Sequence, residues 1–338
     1  MIRLICPEDG ASVSVMTERQ TAFVNEYRTG THPYFTDEEK DRDDSAPAVT
    51  VFRWRSDAGP GTLEFSLTED FSVGAPASVG AVVSTGDGEY EASVTNFFIG
   101  RKYFWRVRAG GGTSEIRSFY SRNDGFRVIG VEHVPNFRDI GGRFNRDGRR
   151  VKQGLLYRGT YLEKWEDGGL TEKGRETFVR DLGIRTELDL REEKLGKLTE
   201  SPAGDGVRFV LVPHDSSWGG TFNDRGMGQM REIFDVLFDP SSYPVFFHCF
   251  SGADRTGFVG VVVDAFLGMS DGEIKLGYAF TSLFEERIWD QCEGARDYFA
   301  FLVEQYGERS LSELVTLHFT NSGIDADKIA RFRDFMLE

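Results

Sequence analysis

An apolar run that ends in a glycine-bearing loop constrains the fold more than any other segment of the chain. Residues 243–249 read YPVFFHC, and the loop FSGADR follows at 250–255. A short run with no polar face is typical of a strand that is covered on both sides of a parallel sheet. Apolar residues at 256–268 predict a helix after the loop. The segment therefore predicts strand, loop and helix in an α/β domain.

The first 122 residues have a different periodicity. Large apolar and polar residues alternate in several short segments, as they do in strands with one buried face. These segments lie at 49–56, 62–68, 78–85 and 103–109. Glycine-rich turns separate them, as hairpins require. We therefore predict that residues 1–122 form a small antiparallel β-sandwich of about seven strands.

After a turn-rich stretch at 121–125, strands alternate with longer helical patterns. Further strands are predicted at 185–190 and 207–212, and helices at 224–238, 256–268, 271–286, 291–306, 310–318 and 325–337. This order predicts an α/β domain over residues 123–338, with a central, mostly parallel sheet flanked by helices. The chain is thus expected to contain two domains.

Composition excludes several classes of function. The net charge of −15 argues against a general nucleic-acid or membrane-surface binder, because such proteins need basic surface. The three cysteines lack metal-ligand spacing, so free thiols are expected. No segment is apolar enough to span a bilayer, and the first residues lack the apolar core of a signal peptide. A cytoplasmic location is the resulting expectation.

The residues around Cys249 provide the parts of an anion site. Gly252 allows a tight turn, and the helix predicted from Thr256 directs backbone N–H groups and partial positive charge toward the loop. The same field stabilises a thiolate, so we expect a lowered pKa at Cys249. Arg255 can bind two phosphate oxygens with its planar guanidinium. Together these features favour phosphoryl transfer to sulfur over an inert buried thiol.

The segment HCFSGADRTG resembles the phosphate-binding loop of the Cys-based protein tyrosine phosphatases, most closely the bacterial branch with HCxxGxDRTG. The resemblance extends to PNFRDIGG at 135–142, GLLYRG at 154–159, LGIRTELDLR at 182–191 and GIDADKIARFRDFML at 323–337. The first third of the chain resembles a fibronectin type III or immunoglobulin-like domain, through PEDGASV, the strand around Trp54 and the hairpin at 97–119.

The phosphatase resemblance implies roles for individual residues. Cys249 attacks phosphorus and forms a cysteinyl-phosphate, Thr256 hydrogen-bonds the sulfur, and His248 fixes the loop. The positions that bind the phosphate are Phe250, Ser251, Gly252, Ala253, Asp254 and Arg255. No metal or other cofactor is implied, because backbone dipoles and the arginine balance the phosphate charge.

Two residues are candidates for the general acid that protonates the leaving oxygen. Asp254 lies inside the loop, where the bacterial branch places its acid, and Asp215 follows an upstream strand, as in the mobile acid loop of other tyrosine phosphatases. We favour Asp254, because an acid must lie within hydrogen-bond reach of the substrate oxygen. Asp215 remains the alternative.

Four further residues, Arg138, Asp139, Asp189 and Arg191, are candidates for supporting the site. They lie in the NFRDIGG segment and at the end of a predicted strand, where functional residues of α/β sheets gather. Pairing with each other or with the backbone is the structural alternative for each of them.

The resemblance leaves several substrates open. Many members of the branch have lysine where this chain has Ala253, and a basic residue there is associated with inositol or lipid head groups. Its absence favours phosphotyrosine or another small phosphomonoester. The alternatives are an inositol phosphate or phosphoinositide phosphatase, and a weakly active module that binds a phosphorylated protein. The N-terminal domain is expected to bind a protein or glycan, or to pack as a scaffold.

Overall fold

The computed structural model describes residues 1–30, 45–163, 169–191, 199–214, 218, 223–285 and 292–338. The chain divides into two compact units. The first contains residues 1–18 and 47–130, and the second contains residues 19–46 and 131–338.

The first unit contains short strands, most of which form two sheets. The strands are β1 (Ile2–Cys6), β2 (Ala11–Val13), β3 (Thr50–Ser56), β4 (Thr62–Ser66), β5 (Ser78–Val79), β6 (Val83–Gly86), β7 (Glu89–Thr95), β8 (Arg101–Ala109), β9 (Gly112–Thr113), β10 (Arg117–Ser121) and β11 (Arg127–Val128). One sheet has the order β1-β3-β7-β5 with β6 beside β7, the other has β2-β10-β8-β4 with β9 beside β8, and β11 belongs to neither of them. These pairs are antiparallel, as predicted, except that β2 runs parallel to β10.

Aromatic side chains fill the core between these two sheets. Burial alternates along β3, which turns Phe52 and Trp54 inward. Phe52 packs edge-on against Phe65, Trp105 and Phe119 of the other sheet, with ring centroids 5.0, 4.9 and 5.6 Å away. Such contacts between large apolar rings supply much of the stability of a unit of this size.

The second unit is built on a mostly parallel sheet. Its strands are β12 (Arg138–Asp139), β13 (Leu156–Gly159), β14 (Thr186–Asp189), β15 (Arg208–Leu211) and β16 (Val245–His248). These five strands follow one another in the order β12-β13-β16-β14-β15, and of the pairs among them only β12 with β13 is antiparallel. All four residues of β16 are buried. The apolar run at 243–249 therefore forms a central strand, as predicted.

The second unit also contains helices. They are α1 (Glu18–Arg28), α2 (Glu172–Glu176), α3 (Asp224–Leu237), α4 (Asp254–Phe266), α5 (Asp271–Ala279), α6 (Glu293–Tyr306), α7 (Leu311–Asn321) and α8 (Ala326–Met336). Side chains from the sequence fix their starts: Asn223 caps α3, and Ser310 with Glu313 forms a capping box at α7. In the part of the chain that is described, no helix has the length and apolar character needed to cross a bilayer.

The prediction of an N-terminal region made only of strands is wrong at α1. Gln20, Phe23 and Val24 of this helix are buried, and the Phe23 ring lies 6.1 Å from that of Phe280 in the second unit. Arg28 pairs with Glu273 of the same unit at 2.9 Å. The helix therefore belongs to the second unit.

The predicted boundary between residues 122 and 123 differs from the observed division. Residues 123–130 stay with the first unit, because Asp124 accepts a hydrogen bond from Ser14 at 2.7 Å. Arg127 is fully buried and donates to the backbone carbonyls of Asn96 and Phe97 at 2.8 and 3.0 Å.

Helix α2 was not predicted, although Thr171 caps its start. Its short length gives little periodic signal.

A buried ion pair joins α4 to the segment that follows β12. The Arg143 guanidinium donates to the Asp264 carboxylate, and both side chains are at most 5% exposed. Burial raises the pKa of Asp264, and the Arg143 charge opposes that rise. Arg143 also donates to the Glu273 carbonyl oxygen at 3.2 Å. The pair therefore holds together α4, α5 and the chain that leads into β13.

Replacing Asp264 by alanine removes the carboxylate that neutralises a buried guanidinium. Breaking such a pair typically costs about 3–5 kcal/mol, so we expect D264A to lower the free energy of unfolding by that amount in a urea titration. D235A is the matched control, because it removes only the exposed 2.7 Å pair between Asp235 and Lys328 and should cost less than about 1 kcal/mol. Equal losses in the two variants would contradict a stabilising role for the buried pair.

Candidate phosphate-binding site

The loop after β16 turns sharply at Gly252. Cys249 follows the last residue of the strand and is 4% exposed. Gly252 has φ = +68°, and a Cβ atom there would lie 2.3 Å from the carbonyl oxygen of Gly159. Any other residue would combine an unfavourable backbone conformation with a backbone clash. The glycine is therefore required for the path of the loop, and α4 begins two residues later at Asp254.

Two neighbouring side chains hold the loop carbonyls on one side. The Asn136 amide donates to the Ser251 carbonyl oxygen at 3.1 Å, and Arg158 Nη2 donates to the Gly252 carbonyl oxygen at 2.8 Å. In a trans peptide the C=O and the following N–H point in opposite directions. The N–H groups of Gly252 and Ala253 consequently point away from Asn136 and Arg158. Two consecutive N–H groups turned to the same side are donors that an anion can use.

Arg158 lies against the first turns of α4. Its Nη1 would be 2.6 Å from a Cβ atom at Gly260, and its Nη2 3.8 Å from one at Gly257. The spacing of these two glycines places both on one face of the helix and leaves room for the guanidinium. Burial lowers the pKa of Arg158 to about 10, and the charge of an ionised Cys249 opposes that decrease. A buried cation thus lies close enough to the sulfur to interact with its charge.

The start of α4 is arranged to receive a ligand. Its N-cap residue is Ala253, whose methyl side chain cannot accept hydrogen bonds from the first-turn N–H groups. These N–H groups and the helix dipole favour an anion at this position. Thr256 Oγ1 is buried and has no hydrogen-bond partner within the described ranges. A buried hydroxyl of this kind normally has a partner, and the sulfur of Cys249 or a bound anion would supply one.

His248 is held between acceptors just before the loop. Its Nε2 lies 2.9 Å from Glu187 Oε1, its Nδ1 3.0 Å from the Cys249 carbonyl oxygen and 3.9 Å from Asp189 Oδ1. Since these partners are acceptors, both ring nitrogens must donate, which requires the imidazolium form. Burial lowers the pKa of His248, but Asp189, Glu187 and the carbonyl oxygen together raise it to about 9.

The predicted supporting residues have structural partners. Asp189 accepts hydrogen bonds from Arg191, whose Nη2 also donates to Glu163 at 2.7 Å. Burial raises the pKa of Asp189. The charges of His248 and Arg191 lower it by a larger amount, so the net shift is downward. Asp189 and Arg191 therefore lie beside the loop, at the end of β14.

Arg138 and Asp139 bind other groups rather than each other. Arg138 donates to the Asn136 side chain and, at 2.9 Å, to Thr281 Oγ1, so it orients the amide that holds the loop. Burial, together with repulsion from Arg158 and Arg143, lowers the pKa of Arg138. Asp139 accepts from the N–H groups of Gly141 and Gly154, each at 2.7 Å.

The two candidate acids and the arginine of the loop occupy different positions. Asp254 and Arg255 are the first two residues of α4 and are half-buried. The Asp254 charge acts on Tyr278, whose pKa is raised chiefly by burial. Asp215 lies outside the described residues. Asp254 is thus placed at the start of the helix, next to the loop.

Sequence reasoning missed three residues of the site: Asn136, Arg158 and Glu187. Asn136 and Arg158 occur in the segments that carry the family resemblance, but their contacts depend on the pairing of β13 with β16. Glu187 had a usable signal, because a glutamate two residues before Asp189 in a buried strand shares a face with it.

Within the described residues, no group of three or more His, Cys, Asp or Glu side chains is arranged to hold a metal ion.

Comparison with known proteins establishes the family. The model described as "Tyrosine phosphatase family" matches residues 129–318, more than half of the chain. This chain belongs to the tyrosine phosphatase family. A Cupriavidus necator protein named "Putative tyrosine-protein phosphatase" is 26% identical over an alignment of 175 residues, and the match covers 44% of this chain and 61% of that protein. The match therefore spans about three fifths of the relative's length. The prediction of a phosphatase domain is confirmed by the family match.

Two solved structures are also similar. The core catalytic domain of the PP-IP phosphatase Siw14 from S. cerevisiae, in complex with citrate, covers 49% of this chain and 92% of its own, with 16% identity and a TM-score of 0.31. A second structure of the Siw14 catalytic core covers 44% of this chain and 86% of its own, with 17% identity and a TM-score of 0.29. Similarity of this degree decides neither substrate nor mechanism.

The histidine at the end of β16 predicts a dependence of stability on pH. The pKa of His248 in the folded protein, about 9, lies above its ordinary value of about 6.5. Its protonated form therefore stabilises the fold fully below about pH 6.5, and this contribution is lost as the pH rises through about 9. Over this interval the free energy of unfolding should fall by about 3 kcal/mol more in the wild type than in H248Q.

Urea titrations at a series of pH values measure this difference. The exposed His133 provides the control, because H133Q should follow the wild-type pH profile. Parallel profiles for the wild type and H248Q would contradict an imidazolium at position 248.

Proposed function

We propose that this protein is a metal-independent phosphomonoester hydrolase that works through a cysteinyl-phosphate on Cys249. The observation that carries this proposal is the loop at Gly252, whose carbonyls are bound by Asn136 and Arg158 so that its N–H groups face the opposite side. Family membership over residues 129–318 supports the same reaction. Donors fixed before the substrate arrives stabilise developing charge without reorganisation.

The reaction has two displacement steps. In the first, the Cys249 thiolate attacks phosphorus, the ester P–O bond breaks, and the general acid protonates the leaving oxygen. In the second, water attacks phosphorus and gives a proton to the carboxylate that acted as the acid, the S–P bond breaks, and inorganic phosphate and the Cys249 thiolate are released. Arg255 and the loop N–H groups bind the non-bridging oxygens in both steps. The hydroxyl of Thr256 hydrogen-bonds the departing sulfur.

Turnover of p-nitrophenyl phosphate by the purified full-length protein, measured with EDTA present, tests the proposal. We expect hydrolysis by the wild type and a loss of at least about 10³-fold in kcat for C249S, because the oxygen of serine is a far weaker nucleophile here. C6S is the matched control, since Cys6 is a free thiol in the first unit. Comparable activity of C249S and wild type would refute a cysteinyl-phosphate.

The general acid can be assigned from the dependence on the leaving group. We propose Asp254, which lies at the start of α4 next to the loop. D254N should lower kcat/KM about 10²-fold for phenyl phosphate, whose leaving oxygen needs a proton, and much less for p-nitrophenyl phosphate. D215N is the comparison variant. If D215N shows the selective loss and D254N does not, Asp215 is the acid.

The substrate we propose is a phosphotyrosine or another small monoester. Ala253 supports this assignment, because it is 1% exposed and brings no charge for additional phosphates into the loop. Faster turnover of inositol phosphates than of phosphotyrosine peptides would favour the inositol alternative. Tight phosphopeptide binding without phosphate release would favour a binding module.

For the first unit we propose a fibronectin type III-like sandwich that serves as an accessory module. The two sheets that meet through Phe52 support this assignment. A protein or a glycan is the class of partner we propose for it.

A further inference from the structure

An aromatic ring is exposed on the loop that follows the nucleophile. Phe250 comes directly after Cys249, and 47% of its surface is exposed, although it belongs to a segment whose neighbours are largely buried. Its ring stacks on that of Tyr161, with centroids 4.6 Å apart and an angle of 23° between the planes. Phe250 is therefore held in a fixed orientation while nearly half of its surface remains accessible.

The stack is supported from within the protein. The Tyr161 N–H donates to the Phe250 carbonyl oxygen at 3.2 Å, so backbone and rings are joined at the same point. Tyr161 is 9% exposed, and the Arg191 guanidinium lies 5.0 Å from its ring centroid. Arg191 is in turn bound by Asp189 and Glu163. A buried ion pair, a buried ring and an exposed ring thus form three successive layers.

The layers come from equivalent positions on three adjacent parallel strands. Tyr161, Phe250 and Arg191 each lie two residues beyond the last residue of β13, β16 and β14, and these strands are neighbours in the sheet. All three side chains therefore lie at the carboxyl edge of the sheet, which is where α/β domains bind their ligands. The stacked rings of Phe250 and Tyr161 thus lie at the same edge of the sheet as the loop after β16.

We propose that Phe250, supported by Tyr161, is a specificity-determining residue that favours phosphate esters with a flat aromatic leaving group. This inference rests on the proposed function. With the phosphate held by the loop N–H groups, the ester oxygen and its organic group must leave the loop on its open side. The exposed ring of Phe250, the residue that follows the nucleophile, would contact an organic group on that side. The stack on Tyr161 prevents Phe250 from rotating away when a substrate binds.

Stacking between two rings distinguishes aromatic from saturated groups of the same size. Such a contact increases affinity several-fold beyond the gain that comes from the buried surface area. Removal of the Phe250 ring should therefore selectively weaken the binding of aryl substrates. A saturated six-membered ring, which cannot stack in this way, should be affected much less.

The test compares phenyl phosphate with cyclohexyl phosphate in the full-length wild type, F250L and Y161L. F250L keeps an apolar side chain but removes the ring, so it should lower kcat/KM about three- to tenfold for phenyl phosphate and less than about twofold for cyclohexyl phosphate. Y161L should also lower the ratio of kcat/KM for phenyl phosphate to kcat/KM for cyclohexyl phosphate. F144L is the matched control, because Phe144 is another exposed phenylalanine, at 51%, and its ratio should equal that of the wild type.

Binding of phenylphosphonate and cyclohexylphosphonate, measured by calorimetry, separates this inference from the proposed function. These compounds have no hydrolysable ester bond, so their affinity is informative even if turnover is absent. A preference for phenylphosphonate that F250L abolishes would support the stack whether or not the protein is an enzyme. Equal effects of F250L on both compounds, or no effect on either, would overturn it.

Discussion

The site depends on how two peptide carbonyls are held. Asn136 and Arg158 bind the carbonyl oxygens of Ser251 and Gly252, and the close approach of Gly252 to Gly159 allows no Cβ atom at the turn. These contacts determine which way the loop N–H groups face. Because a peptide group is planar, binding its carbonyl oxygen also fixes the direction of the N–H group that follows, whether or not a ligand is present. Arg138 extends this control one contact further, since it orients the Asn136 amide.

Three groups of buried charged residues lie near the loop, and each has different contacts. His248, Glu187 and Asp189 form a buried group that fixes the end of β16, and Arg143 with Asp264 joins the helices behind it. Arg158 binds a carbonyl oxygen of the loop and lies against Gly257 and Gly260. An acidic protein with a net charge of −15 thus concentrates buried cations next to the one loop that is expected to bind phosphate. Local burial, rather than overall charge, sets the potential there.

The sequence was sufficient for features that depend on neighbouring residues. The run at 243–249 predicted a central strand, and the residues from Gly252 to Thr256 predicted the loop and the helix start, because periodicity and turn chemistry are local. It was insufficient where strands must first be paired. Arg158 reaches Gly252 only because β13 lies beside β16 in parallel register. Helix α1 has its apolar residues at helical spacing, yet only its packing shows to which unit it belongs.

The assignment of residues 19–46 to the second unit has a consequence for how this protein can be divided. The polypeptide enters the phosphatase unit, returns to the strand-rich unit and enters the phosphatase unit again. No single cut can yield both units intact, and cleavage near residue 122 would separate α1 from its partners Phe280 and Glu273. The first unit is therefore not joined to the second by a single linker, and its gain or loss in evolution would require changes at two junctions.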